Sequence, residues 1–261
     1  DIDPTSISKN IVVDVPIVGN AEDILEQFNE KITFVPRKEW ITKIKEWKEK
    51  YPLSYKKNGL KPQYIIEKIS ALLPEDAIIC TEVGQNQMWT AQWFKFTKPR
   101  QWISSGGLGT MGYGFPASMG AQFACPDQPV VVLAGDGSFQ MNIQELGTVV
   151  QYNIPVKVII LNNQFLGMVR QWQQLFYERR YSYTELPEVH FERIAKAYGI
   201  EAATVTKASD VEEAIKTALD HKGPYVLDVR VEREENVFPM VPAGANISEM
   251  IVGHHTGHEE E

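Results

Sequence analysis

The chain has 261 residues, 43% hydrophobic and 23% charged, with a net charge of -8. That balance is ordinary for a globular protein able to bury a sizeable core. An acidic chain without a long basic run is no candidate for gripping a nucleic-acid backbone, and no stretch approaches the ~18 apolar residues of a membrane-spanning helix.

No signal peptide is recognisable. The two cysteines, Cys80 and Cys125, lie in apolar surroundings at no metal-ligand spacing. They read as buried free thiols of a reducing, cytoplasmic compartment. The opening "DIDP" reads as the end of a strand already under way, so the C-terminal portion of a longer polypeptide is expected.

In chain order, "NIVVDVPIVGN" is strand-like and "AEDILEQFNEKI" has helical spacing. "PRKEWITKIKEWKEKY" predicts an amphipathic helix with Trp40, Ile44 and Trp47 on one face. "YPLSYKKNGLKP" is polar, with Pro and Gly, and reads as a linker. "KPQYIIEKISALL" predicts a helix with Pro62 in its first turn. Strands follow at "AIIC", "VVVLA", "VKVIIL", "IEAATV" and "PYVLDVRV", alternating with helical stretches such as "NIQELGTVVQY", "HFERIAKAYG" and "SDVEEAIKTALDH". Three of these strands are apolar nearly throughout, as strands buried on both faces are. The expected fold is α/β, a parallel sheet with helices on both faces. Trp89 and Trp93 read as core or interface. The polar end carries His254, His255 and His258, which read as a solvated terminus rather than a metal cluster.

Two glycine motifs carry chemistry. "SGGLGTMGYG" contains Gly107, Gly109 and Gly112, a formal G-x-G-x-x-G. A dinucleotide fingerprint needs a strong strand before it and an acidic residue closing the next strand. "PRQWISS" is a poor strand and Asp127 lies in a turn, so a tight glycine loop before a helix is an alternative. "GDGS" at 135–138 ends a buried strand, where open α/β sheets place ligands. Gly135 and Gly137 allow close backbone approach. Their amides and that of Ser138, at a helix start, suit phosphate oxygens. Asp136 is a hard oxygen ligand suited to Mg²⁺ bridging a diphosphate, or else a turn residue capping the helix. Twenty-four residues separate Gly137 from Asn162. That is enough for one helix and a return strand, and it brings "NN" at 162–163 to the same sheet edge.

GDG followed at this interval by NN resembles the thiamine-diphosphate signature. "TEVGQNQMW", "SGGLGTMGYGFPASMGAQ", "GDGSFQMNIQEL", "LNNQFLGMVRQWQQLFYERRYS" and "FPMVPAGANISEMI" together resemble the large catalytic subunits of the acetolactate synthase (acetohydroxyacid synthase) family over almost the whole chain. The resemblance implies four parts. Residues 1–36 would end a Rossmann-like central domain, and 37–60 would be a linker helix and loop. Residues 61–236 would be the pyrophosphate-binding domain and 237–261 a C-terminal tail.

It also implies roles. Asp136 and Asn163 would bind Mg²⁺ through side chains and Phe165 through its backbone oxygen. Val83, Gly84, Gln85, Asn86 and Gln87 would form the loop on the diphosphate, Asn86 standing where the family has His. Gly109 would accept the cofactor's 4′-amino proton, and Met111 would wedge under the thiazolium. Gly135, Gly137, Ser138, Gly167, Met168 and Val169 would complete the cofactor site, and Met168, Val169 and Trp172 the substrate channel. Met111 could instead pack a loop, and the last three could be core.

The implied reaction is decarboxylation of pyruvate and condensation with a second pyruvate or 2-oxobutyrate, in branched-chain amino-acid biosynthesis. Catalytic subunits would pair as a dimer or tetramer, with a small regulatory subunit as a further partner. The activating glutamate comes from a pyrimidine domain, and most of the FAD site from elsewhere in such proteins. Neither Glu82 nor Glu145 stands in its motif, so this chain alone is expected to bind cofactor weakly and not to turn over. A pyruvate oxidase, decarboxylase or glyoxylate carboligase, an inert cofactor-binding module and a nicotinamide dehydrogenase remain as alternatives.

Overall fold

The computed structural model describes residues 1–253. The chain divides into two compact units, Asp1–Pro52 and Leu53–Glu261. His254, His255 and His258 lie outside the described residues.

The first unit holds α1 (Ala21–Lys31) and α2 (Lys38–Lys50). Asn20 caps α1 by accepting from the Glu22 amide, and Glu22 and Asp23 sit in its first turn. Both features favour a helix N-terminus. Trp40 and Trp47 share a face of α2, edge to face at 5.6 Å. The strand expected at 10–20 does not form. The segment is rich in valine and isoleucine, but no neighbouring strand in this unit pairs with it, and an unpaired β segment leaves its backbone groups to water.

The second unit runs α3 (Pro62–Leu72), β1 (Ile78–Thr81), α4 (Gln85–Trp93), β2 (Trp102–Ser104), α5 (Gly114–Ala124), β3 (Val130–Gly135) and α6 (Asp136–Gln140). It continues with α7 (Leu146–Tyr152), β4 (Lys157–Asn162), α8 (Gly167–Phe176), α9 (Phe191–Ala197), β5 (Glu201–Val205), α10 (Val211–Asp220) and β6 (Tyr225–Arg230). Pro62 opens α3, where its missing N–H costs nothing.

The six strands form one sheet, ordered β2-β1-β3-β4-β6-β5, parallel throughout. Successive side chains of each strand serve opposite layers. Val131, Leu133, Ile159, Leu161, Leu227 and Val229 pack under α3, α4 and α10. Val130, Val132, Val158, Ile160 and Val226 pack under α5, α7 and α9. A two-sided core explains why these strands show no polar face.

β2 was not expected from its sequence. It is three residues long at the sheet edge, half-buried at Ile103 and Ser104, so a short polar-flanked segment suffices. A strand therefore does precede the G-x-G-x-x-G, but Asp127 closes no strand, so the dinucleotide pattern stays incomplete. Cys80 is fully buried, with its thiol pushed up to about 12 by burial, and Cys125, at the end of α5, is only half-buried. Trp89 belongs to the core, and Trp93 packs edge-on to Tyr55. Among the described residues no helix is long and apolar enough to cross a membrane.

Gly114 starts α5 against the end of β1. A methyl group there would sit 2.5 Å from the Thr81 carbonyl and 2.6 Å from the Glu82 nitrogen. The obstruction is backbone, so neither side can give cheaply. Gly114→Ala is expected to cost about 3 kcal/mol in urea unfolding; a loss below 1 kcal/mol would mean that β1 can shift.

Candidate functional site

The carboxyl ends of β1, β3 and β4 surround a cavity of about 40 Å³. Its wall includes Val83, Gly84, Gln85 and Asn86 from the loop after β1, with Met111 from the glycine loop. Gly135 to Ser138 come from the β3–α6 corner, and Asn163, Phe165 and Gly167 from the β4–α8 corner. Trp89, Leu161 and Leu166 also line it, which sequence reasoning did not assign. Trp89 is both core and cavity wall, a double role that helical spacing does not reveal.

Parallel pairing brings the two motifs together. Gly135 pairs with Leu161 across β3 and β4, so Asp136 and Asn162 leave the sheet side by side. Asp136 is 2% exposed, and its Oδ1 has no hydrogen-bond partner. Burial pushes its carboxyl up to about 7, although the backbone amides of Asp136 itself and Asn163 favour the charged form. A buried carboxylate oxygen left unpaired is costly unless a cation or proton meets it. A cation placed against that oxygen would meet the need.

The asparagine pair divides its work. Asn162 turns into the sheet, donating through Nδ2 to Asp228 Oδ1 at 2.9 Å, so it ties β4 to β6. Asn163 turns to the cavity. Its Oδ1 accepts from the Phe165 amide at 3.1 Å and its Nδ2 donates to Gln85 Oε1 at 3.3 Å. Asp136 with the amide oxygen of Asn163 offers one anionic and one neutral hard oxygen, a set that fits Mg²⁺ beside an anionic ligand. Among the described residues no group of three His, Cys, Asp or Glu could hold a metal. A site built on one carboxylate, one amide and main chain is consistent with that.

Space at the corner is already used. A methyl group on Gly137 would meet Leu166 at 2.7 Å, and one on Gly167 would lie 2.2 Å from Gln85 Oε1 and 2.8 Å from Asn163 Nδ2. The helix at GDG begins at Asp136 rather than Ser138, so the amides of Gly137 and Ser138 fall in its first turn, where amides lack intrahelical partners. The Ser138 hydroxyl donates back to the Gly135 carbonyl at 3.3 Å.

Of the other expected residues, Asn86 lies in the cavity wall while Gln87, Gly109, Met168, Val169 and Trp172 do not. Gln87 donates to Ser104 Oγ at 2.6 Å and points to the β2 edge. Asn86 lies in the wall, but its Nδ2 is occupied by the carbonyls of Glu82 and Leu133, stitching β1 to β3. Gly109 is exposed and holds a φ of +64°. Met168 is half-buried, while Val169 and Trp172 are exposed on α8, so the latter two are not core.

Glu82 was assigned no role, yet it is fully buried under the glycine loop. Oε2 accepts from the Gly112 amide at 2.7 Å and Oε1 from the Phe115 amide at 2.8 Å. Burial raises its pKa, and those amides oppose the rise. An acidic residue ending a buried strand is the only sequence signal for it.

Residues 82–229 match the family model described as "Thiamine pyrophosphate enzyme, C-terminal TPP binding domain". The chain is 44% identical to the acetolactate synthase large subunit of Pyropia yezoensis over 261 residues, covering 96% of this chain and 44% of that protein. It is 45% identical to the chloroplastic acetolactate synthase of Arabidopsis thaliana, over 96% of this chain and 40% of that one. It is 41% identical to the acetolactate synthase isozyme 3 large subunit of Escherichia coli, over 96% and 46%. The chain thus spans less than half the length of these curated relatives.

Proposed function

Because the chain belongs to the thiamine pyrophosphate enzymes through their C-terminal cofactor-binding domain, we propose that it is the diphosphate- and metal-holding part of an acetolactate synthase catalytic subunit. The observation that carries the metal reading is the buried, unpartnered Oδ1 of Asp136 beside Asn163. The relatives' names support the substrate class.

In this reading Asp136, Asn163 and the main-chain oxygen of Phe165 hold Mg²⁺. Amides of Gly137 and Ser138 and the loop at Val83–Gln87 receive the diphosphate. The Gly109 carbonyl would accept a hydrogen bond from the cofactor, and Met111 would support it from the cavity wall. When bound, thiamine diphosphate supplies the electron sink for decarboxylation and carbon–carbon bond formation. The residues here bind, orient and shield it; half-buried Met168 and exposed Val169 and Trp172, all on α8, border the path of pyruvate and 2-oxobutyrate. The activating carboxylate belongs to a pyrimidine-binding domain of an associated catalytic subunit, and no residue of this chain is assigned to FAD. The four-part division of the chain at residues 36, 60 and 236, the dimer or tetramer of catalytic subunits and a small regulatory subunit belong to the same proposal.

The test is product analysis. The chain, supplied with a pyrimidine-binding domain, thiamine diphosphate, Mg²⁺ and pyruvate, is expected to yield 2-acetolactate, and 2-aceto-2-hydroxybutyrate when 2-oxobutyrate is added. Acetaldehyde or acetyl phosphate as sole product would replace the synthase reading with a decarboxylase or an oxidase. No product despite cofactor binding would make the chain an inert carrier.

A further inference from the structure

A chain of side-chain amides connects the candidate metal site to the segment after β6. The segment 234–237 is held firmly. Arg170, fully buried, donates to the Glu235 carbonyl at 2.7 Å and to Asn236 Oδ1 at 2.9 Å. The Glu235 carboxylate pairs with Lys61 at 2.5 Å and accepts from Gln63 at 2.9 Å. Against this frame lies Gln171, fully buried. Its Nε2 donates to the Val237 carbonyl at 3.0 Å and its Oε1 accepts from the Val237 amide at 2.9 Å.

A side-chain amide can bind with either end, and only its partners decide which. Backbone partners are unambiguous: an N–H only donates and a carbonyl only accepts. Val237 therefore fixes Gln171 with its oxygen toward Gln85. That oxygen accepts from Gln85 Nε2 at 2.8 Å, and the Glu235 carbonyl accepts from the same nitrogen at 2.9 Å. Both neighbours of that nitrogen are acceptors, so Gln85 must turn Oε1 the other way, toward Asn163. Asn163 must then turn Nδ2 to Gln85 and leave Oδ1 on the other side, where the Phe165 amide meets it. Gly167 leaves the room for this contact, since a methyl group there would strike both Gln85 Oε1 and Asn163 Nδ2.

We propose that Gln171 and Gln85 are positioning residues: they form an amide relay, set by the backbone of Glu235 and Val237, that holds the Asn163 amide with its oxygen turned toward the metal position, the lone pair not used by the Phe165 amide open to the metal. The relay rests on the metal reading given above. Outer groups of this kind commonly change metal affinity 10- to 100-fold when removed. Because the Phe165 amide favours the same orientation, the low end of that range applies.

The test is Mn²⁺ titration of the chain with thiamine diphosphate present, followed by the electron paramagnetic resonance of free Mn²⁺. Gln171→Met removes the oxygen facing Gln85 and is expected to weaken Mn²⁺ binding about ten-fold. Gln171→Asn, one methylene shorter, withdraws the same oxygen and carries the same expectation should the Met variant not fold. In an Asn163→Asp background the loss should shrink to less than about three-fold, because a carboxylate presents an oxygen in either orientation. Equal losses in both backgrounds, or no loss in either, would overturn the relay. Asn163→Ala reports separately on the metal reading. If it binds Mn²⁺ like the unaltered chain, or the unaltered chain binds none, that reading fails and the relay with it.

Discussion

Replacing Asp136 with asparagine should abolish metal-dependent binding of thiamine diphosphate and, at the same time, stabilise the ligand-free protein. Both effects come from one buried carboxylate. In the folded chain burial holds its pKa up to about 7, against about 3.9 in an unfolded chain. The folded state therefore binds more protons between those values. Its contribution to stability is fully present below about pH 4 and is lost as pH rises through 7, an effect on the order of 4 kcal/mol. Asparagine removes the ionisation and with it that loss. At pH 8 without ligand, Asp136→Asn should melt roughly 5–10 °C above the unaltered protein. With Mg²⁺ and thiamine diphosphate the unaltered protein should gain stability by mass action while the variant does not move. Cation binding should also weaken about ten-fold per pH unit below 7, where a proton competes for the same oxygen. Thermal melts with and without ligand, beside calorimetric titration, check each part. A variant that retains metal-dependent binding would remove Asp136 from the site.

Removing the carboxylate of Glu82 should have the opposite effect on stability. Its two oxygens receive the amides of Gly112 and Phe115 at 2.7 and 2.8 Å in a fully buried position. Hydrogen bonds to a charged group contribute about 1.5–3 kcal/mol each, and a buried amide left without a partner carries its desolvation cost. Glu82→Ala strands both amides and leaves a void, for an expected loss of about 4 kcal/mol and a melting temperature lower by roughly 10 °C. Glu82→Gln keeps one acceptor but turns an NH₂ toward the other amide, so it should recover no more than half of the loss. The loop between β2 and α5 carries Gly109 and Met111. Its amides should therefore exchange with solvent faster in both variants, measured by hydrogen–deuterium exchange. Stability within 1 kcal/mol of the unaltered chain would mean that the loop is held by other contacts.

Residue order alone is enough to specify the sheet interior and to bring GDG and NN to its edge. Runs such as "VVVLA" and "VKVIIL" are apolar without alternation because both faces of β3 and β4 are covered, and that cause acts within a few residues. GDG and NN were legible for the same reason: each sits where a buried strand stops, and the interval between them is that of a helix and a return strand. What depends on distant partners was not legible. "NIVVDVPIVGN" has strand chemistry but forms none, because a strand requires a neighbour. Trp102–Ser104 has weak strand chemistry yet pairs with β1, because an edge strand needs only one. Adjacent asparagines are chemically identical until the sheet turns Asn162 toward Asp228 and Asn163 toward Gln85. Glu82 gains its part from amides thirty and thirty-three residues away, and Gln171 from a backbone sixty-six residues on. Such bonds are directional and long in sequence, and only the folded chain sets which donor faces which acceptor.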